Sequence, residues 1–111
     1  MSSVKLNKMI EKLQLVNLVP EVSTDEIEIS SPEINRPALQ LAGYFEHFAS
    51  ERVQIIGYVE YTYLKSLDRD VKLANYEQFL SSDIPCVIYS TRTEPDEDMI
   101  ELAKKYHKPL L

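Results

Sequence analysis

The sequence predicts an α/β domain with a small mixed, partly parallel sheet flanked by helices. Three observations carry that expectation. The second half alternates strand-like and helix-like stretches, the pattern of a parallel sheet with crossover helices. Pro85-Cys86-Val87-Ile88-Tyr89 is an unbroken apolar run, typical of a strand covered on both faces. Glu26-Ile27-Glu28-Ile29 alternates polar and apolar, the mark of an edge strand whose acidic residues face water. A length of 111 residues, 44% of them apolar, fits a single domain over residues 1–111 with its own core. No repeat or linker divides the chain.

The elements follow in order. Leu6, Met9, Ile10 and Leu13 recur at helical spacing after Ser2 and Ser3, which are good N-caps, with Lys5, Lys8, Glu11 and Lys12 on the wet side. Leu15-Val16-Asn17-Leu18-Val19 reads as a short strand stopped by Pro20, which has no N–H for a ladder. Ser30 to Pro37 is a turn-rich connector. Pro37 fixes φ for a first helical turn, Ala38 to Ala42 continue it, and Gly43 ends it. Tyr44, Phe45, His47 and Phe48 form an aromatic cluster in the loop that follows. Val53-Gln54-Ile55-Ile56 is a strand punctuated by Gly57. Tyr58 to Leu67 and about Arg69 to Leu80 read as helices, the second with Leu73, Tyr76 and Leu80 on one face and Phe79 beside them. Thr93-x-x-Asp96 opens the last helix as a capping-box variant with Pro95 in its first turn, and Met99, Leu102, Ala103 and Tyr106 line its core face. Lys108-Pro109-Leu110-Leu111 reads as the start of another buried strand, so we expect a longer parent chain.

Composition narrows the function. A net charge of −6 argues against nucleic acid, which wants a basic face. No apolar run approaches the roughly 18 residues of a membrane span, and the N-terminus has no apolar core of a signal peptide. A cytoplasmic location is the expectation. Gly43 and Gly57 are the only glycines. A P-loop or a dinucleotide fingerprint therefore cannot be built, because each needs several glycines close together. The single cysteine, Cys86, sits in an apolar strand and reads as a small hydrophobe.

Few residues point to chemistry. His47 reads as a loop or interface residue and His107 as a helix C-terminal residue favourable to the dipole. Asp96, Glu97, Asp98 and Glu101 fit a solvated opening turn and form no expected metal site. Asn35-Arg36-Pro37 is the best local candidate for a ligand site. Arg36 lies next to a helix N-terminus, where free N–H groups also favour anions. The structural alternative is an Arg36 pair with a nearby carboxylate such as Glu33. Tyr58, Tyr61 and Tyr63 cannot all face one core, so at least one belongs to the surface, where Tyr favours protein interfaces.

The order of residues adds a resemblance. Ile34-Asn35-Arg36-Pro37-Ala38-Leu39-Gln40-Leu41-Ala42-Gly43-Tyr44-Phe45, then Glu51-Arg52-Val53-Gln54-Ile55-Ile56-Gly57, closely resemble the N-terminal domain of bacterial HPr kinase/phosphorylase. Asp83-Ile84-Pro85-Cys86-Val87-Ile88, Glu94-Pro95 and Lys108-Pro109-Leu110-Leu111 extend the likeness over nearly the whole chain. The resemblance implies a non-catalytic regulatory or assembly domain of a bifunctional serine kinase and phosphorylase. That enzyme acts on HPr, controls the sugar phosphotransferase system and carbon catabolite repression, and assembles as a hexamer. It further implies that ATP and Mg²⁺ act in a C-terminal domain absent here, and that partners are that domain and sister subunits. The implied fold is similar to the N-terminal domain of muramyl-peptide ligases. The resemblance carries no catalytic residue onto this chain. The alternative is a stand-alone module that binds a nucleotide or sugar phosphate through Asn35 and Arg36, or a protein through Tyr58, Tyr61 or Tyr63.

Overall fold

The computed structural model describes residues 3–31, 33–46, 48–90 and 92–111. A parallel sheet forms its centre, in the order β3 (Ile34–Asn35), β4 (Val53–Ile56), β5 (Val87–Tyr89). Leu110 extends it by a parallel bridge to Val87. Helix α2 (Ala38–Leu41) links β3 to β4, while α3 (Tyr58–Lys65) and α4 (Arg69–Leu80) link β4 to β5. Helix α5 (Glu97–Tyr106) leads from β5 to the last bridge. At the other end of the sequence, β1 (Val4–Lys5) pairs antiparallel with β2 (Glu28–Ile29), and α1 (Leu6–Leu13) follows β1 directly.

The period of two along each strand sorts side chains into separate cores. Ile56, Val87 and Leu110 face α2 to α5, where they meet Leu41, Leu64, Phe79, Leu80, Met99 and Ala103. Val53, Cys86 and Leu111 face the other way, onto Leu6 and Ile29. Both sheet faces are therefore covered, which explains the unbroken apolar run at Pro85 to Tyr89. Cys86 is fully buried, and burial alone pushes its thiol up to about 12, so it packs and does not react.

Several expectations hold at their boundaries. Val53–Ile56 is a strand and Arg69–Leu80 a helix, as their patterns predict. Gly43 ends α2 at φ +96°, a conformation that L side chains rarely adopt. Leu110 and Leu111 are buried in the sheet. His107 ends α5 with a left-handed φ of 56°.

Other elements differ from the sequence reading. Ser3 does not cap α1: its hydroxyl donates to Glu28, and the helix begins only after Val4 and Lys5 have paired with β2. Ser2 lies outside the described residues. Leu13 is 61% exposed and leaves the core face expected of it. Leu15 to Val19 is no strand. The Leu15 N–H donates back to the Ile10 carbonyl, the Leu18 N–H donates to the Leu110 carbonyl, and the Asn17 side chain accepts from the Val19 N–H. That segment buries Val19 as a loop that closes over the end of the sheet. Ile34–Asn35, read as connector, is a strand, because it pairs with β4 through Ile34↔Val53 and Asn35↔Gln54. The cap of α5 is Asp96, which accepts from the Met99 N–H at 2.8 Å, while the Thr93 hydroxyl donates to the Ser90 carbonyl. Pro95 thus precedes the helix.

Truncating a side chain at the two extremes of burial checks this arrangement. Leu110→Ala should lower the unfolding free energy by about 2–5 kcal/mol. Leu13→Ala should change it by less than about 0.5 kcal/mol. Urea unfolding followed by circular dichroism reads both.

Candidate functional site

The carboxyl ends of neighbouring parallel strands are where open α/β sheets gather their binding groups. Here the β3–α2 turn and the β4–α3 turn meet at that edge. Asn35, opposite Gln54 in register, donates its amide to the Gln54 side chain at 2.7 Å and to Gln40 at 3.4 Å. Gln54, with no exposed surface, in turn donates to the carbonyls of Arg52 and Ala49. A buried amide is tolerated only when its polar atoms find partners, and this chain of bonds supplies them.

Arg36 reaches across to α3. Its Nε and Nη2 donate to the Glu60 carboxylate at 3.2 and 2.8 Å. The same carboxylate accepts from the Gly57 N–H at 2.6 Å, closing the first turn of α3. Glu60 is 5% exposed at its side chain and Arg36 is 51% exposed. Gly57 is required by this approach: a Cβ there would overlap the Arg36 guanidinium. The expected neighbour of Arg36, Glu33, pairs with Arg52 instead. The structure thus brings Asn35, Arg36 and the start of the tyrosine helix together. The signal sequence reading could not use was Glu60, which lies distant along the chain but three residues after Gly57.

The tyrosines divide as the helix turns. Tyr58 and Tyr63 are 58% and 40% exposed, Tyr61 is half-buried, and the Tyr58 and Tyr61 rings lie 6.3 Å apart. Val59 at 68% and Leu39 at 61% exposure add apolar surface on α3 and α2. The exposed positions of α2 and of the first six residues of α3 carry no charge. Charge depletion with exposed Tyr is the composition of an interface core. Phe45 and Phe48 pack edge to face in the loop, and Phe48 continues onto Phe79. His47 lies outside the described residues.

The acidic turn of α5 grips α4 more than it faces water. Asp96 accepts from Lys72 at 2.8 Å and from the Tyr76 hydroxyl at 3.0 Å. Asp98 accepts from Arg69 at 3.1 Å and pairs with Lys72 at 3.3 Å. At the far end of the same helix pair, Glu77 accepts from Tyr106 and Lys105. No group of three His, Cys, Asp or Glu side chains among the described residues is arranged to hold a metal ion. No described helix is long and apolar enough to cross a membrane.

A family profile described as HPr Serine kinase N terminus matches residues 4–111. The chain belongs to this family. It is 40% identical over 110 residues to the HPr kinase/phosphorylase of Lachnoclostridium phytofermentans, covering 99% of this chain and 36% of that protein. It is 38% identical to the HPr kinase/phosphorylase of Alkaliphilus metalliredigens over 111 residues, 36% of that protein. The Caldicellulosiruptor bescii protein of the same name is 42% identical over 106 residues, 96% of this chain and 34% of its own length. The chain therefore spans about a third of the length of these curated relatives.

Two measurements probe the site. Gly57→Ala should push the Arg36 guanidinium off Glu60 and lower stability by about 1–3 kcal/mol, since it weakens bonds to a buried carboxylate. The hydrogen bond from Arg69, with help from Lys72, holds Asp98 below its ordinary value of 3.8. A depressed folded value means the stabilisation is complete above the unfolded value and is lost as pH falls through the folded one. The melting temperature should accordingly drop as pH falls from about 5 toward 2, and Asp98→Asn should flatten part of that drop.

Proposed function

We propose that this chain is the non-catalytic N-terminal domain of a bifunctional HPr serine kinase/phosphorylase that controls the phosphotransferase system and carbon catabolite repression. The observation that carries the reading is the family match over residues 4–111, coupled with a span of only 36% of the relative. A P-loop closes backbone N–H groups around phosphate and needs glycines at fixed spacing, and a chain whose only glycines are Gly43 and Gly57 cannot form one. ATP, Mg²⁺ and HPr are then bound by the remaining two-thirds of the parent protein. This domain acts by contact: the uncharged face with Leu39, Tyr58, Val59 and Tyr63 is what it offers to its own catalytic domain or a sister subunit. Tyr61 supports that face from beneath through its contact with Tyr58.

A second reading keeps Asn35 and Arg36 as an anion contact, favoured by the half-open Arg36 side chain at the carboxyl edge of the sheet. Calorimetry with phosphate and nucleotides should then give saturable heat that Arg36→Ala removes.

A radiolabel transfer assay with ATP, Mg²⁺ and HPr tests the main reading. The isolated chain should transfer no phosphate, and the full-length protein should. In the full-length protein, Tyr58→Ser with Tyr63→Ser should lower assembly mass or shift the balance of kinase and phosphorylase rates severalfold. Phosphate transfer by the isolated chain would contradict the reading, as would a full-length protein that leaves HPr unmodified.

A further inference from the structure

A concave region is lined by neither Asn35 nor Arg36. A cleft of about 480 Å³ opens at the carboxyl end of β5, between α3, the first turns of α4 and the loop before α5. That size falls in the range of small-molecule sites, about 300–1,000 Å³. Tyrosine rings from three elements line it: Tyr61 on α3, Tyr76 on α4 and Tyr89 at the end of β5. Its cations are Lys65, Arg69 and Lys72, and its anions Glu94 and Asp96.

We propose that this cleft binds a small uncharged polyhydroxylated molecule, a monosaccharide or polyol. Most of the charges there already have partners, and Lys65 stands over the Tyr61 ring. Lys72 is shared by Asp96 and Asp98, and Arg69 lies against Asp98. An incoming anion would compete with those carboxylates and face their repulsion, and an incoming cation would have to displace Lys72. A hydroxyl does neither, because it donates to a carboxylate and accepts from an ammonium at once. The paired rim thus offers donors and acceptors to neutral hydroxyls without breaking an ion pair.

Two further features fit such a ligand. The partly exposed rings of Tyr61 and Tyr89 give apolar surface against which the C–H side of a sugar ring packs, while Tyr76 is buried beneath them, and the Lys65 ammonium stands 4.3 Å from the Tyr61 ring centroid. Tyr89 supplies the unfilled bond. Its hydroxyl makes no hydrogen bond to any described residue, whereas that of Tyr76 is committed to Asp96. Burial raises the Tyr89 phenol well above its ordinary value, so it stays protonated and able to donate at neutral pH.

Nitrogen-15 NMR titration of the 111-residue chain tests this with glucose, myo-inositol and glycerol as neutral probes and inorganic phosphate as the charged comparator. At least one neutral probe should shift the amides of residues 61–72, 89 and 94–96 saturably, at millimolar concentrations. Phosphate should bind those residues at least about tenfold more weakly. Tyr89→Phe keeps the ring and removes only a hydroxyl without a protein partner, so the chain should stay folded, with dispersed resonances, while affinity falls about fivefold. Tyr61→Ser, which removes a lining ring, should weaken binding by a similar factor. The proposal is overturned if no neutral probe saturates these amides up to about 100 mM. Phosphate binding there as tightly as the neutral probes, or unchanged affinity in Tyr89→Phe, overturns it equally.

Discussion

The Glu60 carboxylate is the constraint on which the arrangement depends. It is nearly buried, and a buried charge is costly unless it is paired and hydrogen-bonded. Arg36 and the Gly57 N–H meet both conditions from two different turns. One turn follows β3 and the other follows β4, so a single carboxylate fixes the relative position of two strand ends. The neighbouring Asn35–Gln54 bond does the same one residue earlier in the sheet. Strand β3 needs this help. Two residues of ladder at a sheet edge cannot hold a strand by main-chain bonds alone.

Once β3 and β4 are set, the rest follows by packing. The sheet separates a larger core under α2 to α5 from a smaller one under α1 and the antiparallel β1–β2 pair. Helices α4 and α5 are then laced at both ends, by Arg69, Lys72 and Tyr76 at one and by Lys105 and Tyr106 at the other. Individually, exposed ion pairs contribute little. Asp96 differs because its one side chain caps α5, holds the mostly buried Lys72 and receives the hydroxyl of the buried Tyr76. Among the surface this scaffold leaves exposed is an uncharged stretch over α2 and the first six residues of α3.

Legibility in the sequence followed the range of the forces. Helix α4 could be read from apolar residues at helical spacing, and strand β4 from a short apolar run that Gly57 stops. Gly43 was legible because its φ demands glycine. Leu15 to Val19 misled because a short apolar run fits a strand or a buried loop equally, and here the Leu110 carbonyl took the Leu18 N–H. Strand β3 has too few residues to show any period. Ser3 was drawn from its capping role by Glu28, a partner 25 residues away. For the site, Asn35 and Arg36 stood out by their place in a turn beside Pro37. Their partners Gln54 and Glu60 could not be foreseen, since only the parallel register brings them close. The cleft beside Tyr89 gathers residues from α3, α4 and the loop before α5, and no local motif marks it.

A double-mutant cycle between Arg36 and Glu60 tests most directly whether this pair holds the two turns together. Arg36→Ala, Glu60→Ala and the double variant would be unfolded in urea beside the parent chain. The account predicts a favourable coupling energy of about 1–2 kcal/mol, with the double variant no less stable than Glu60→Ala minus a few tenths. Additivity within about 0.3 kcal/mol would contradict it and leave the pair as a surface contact without structural consequence.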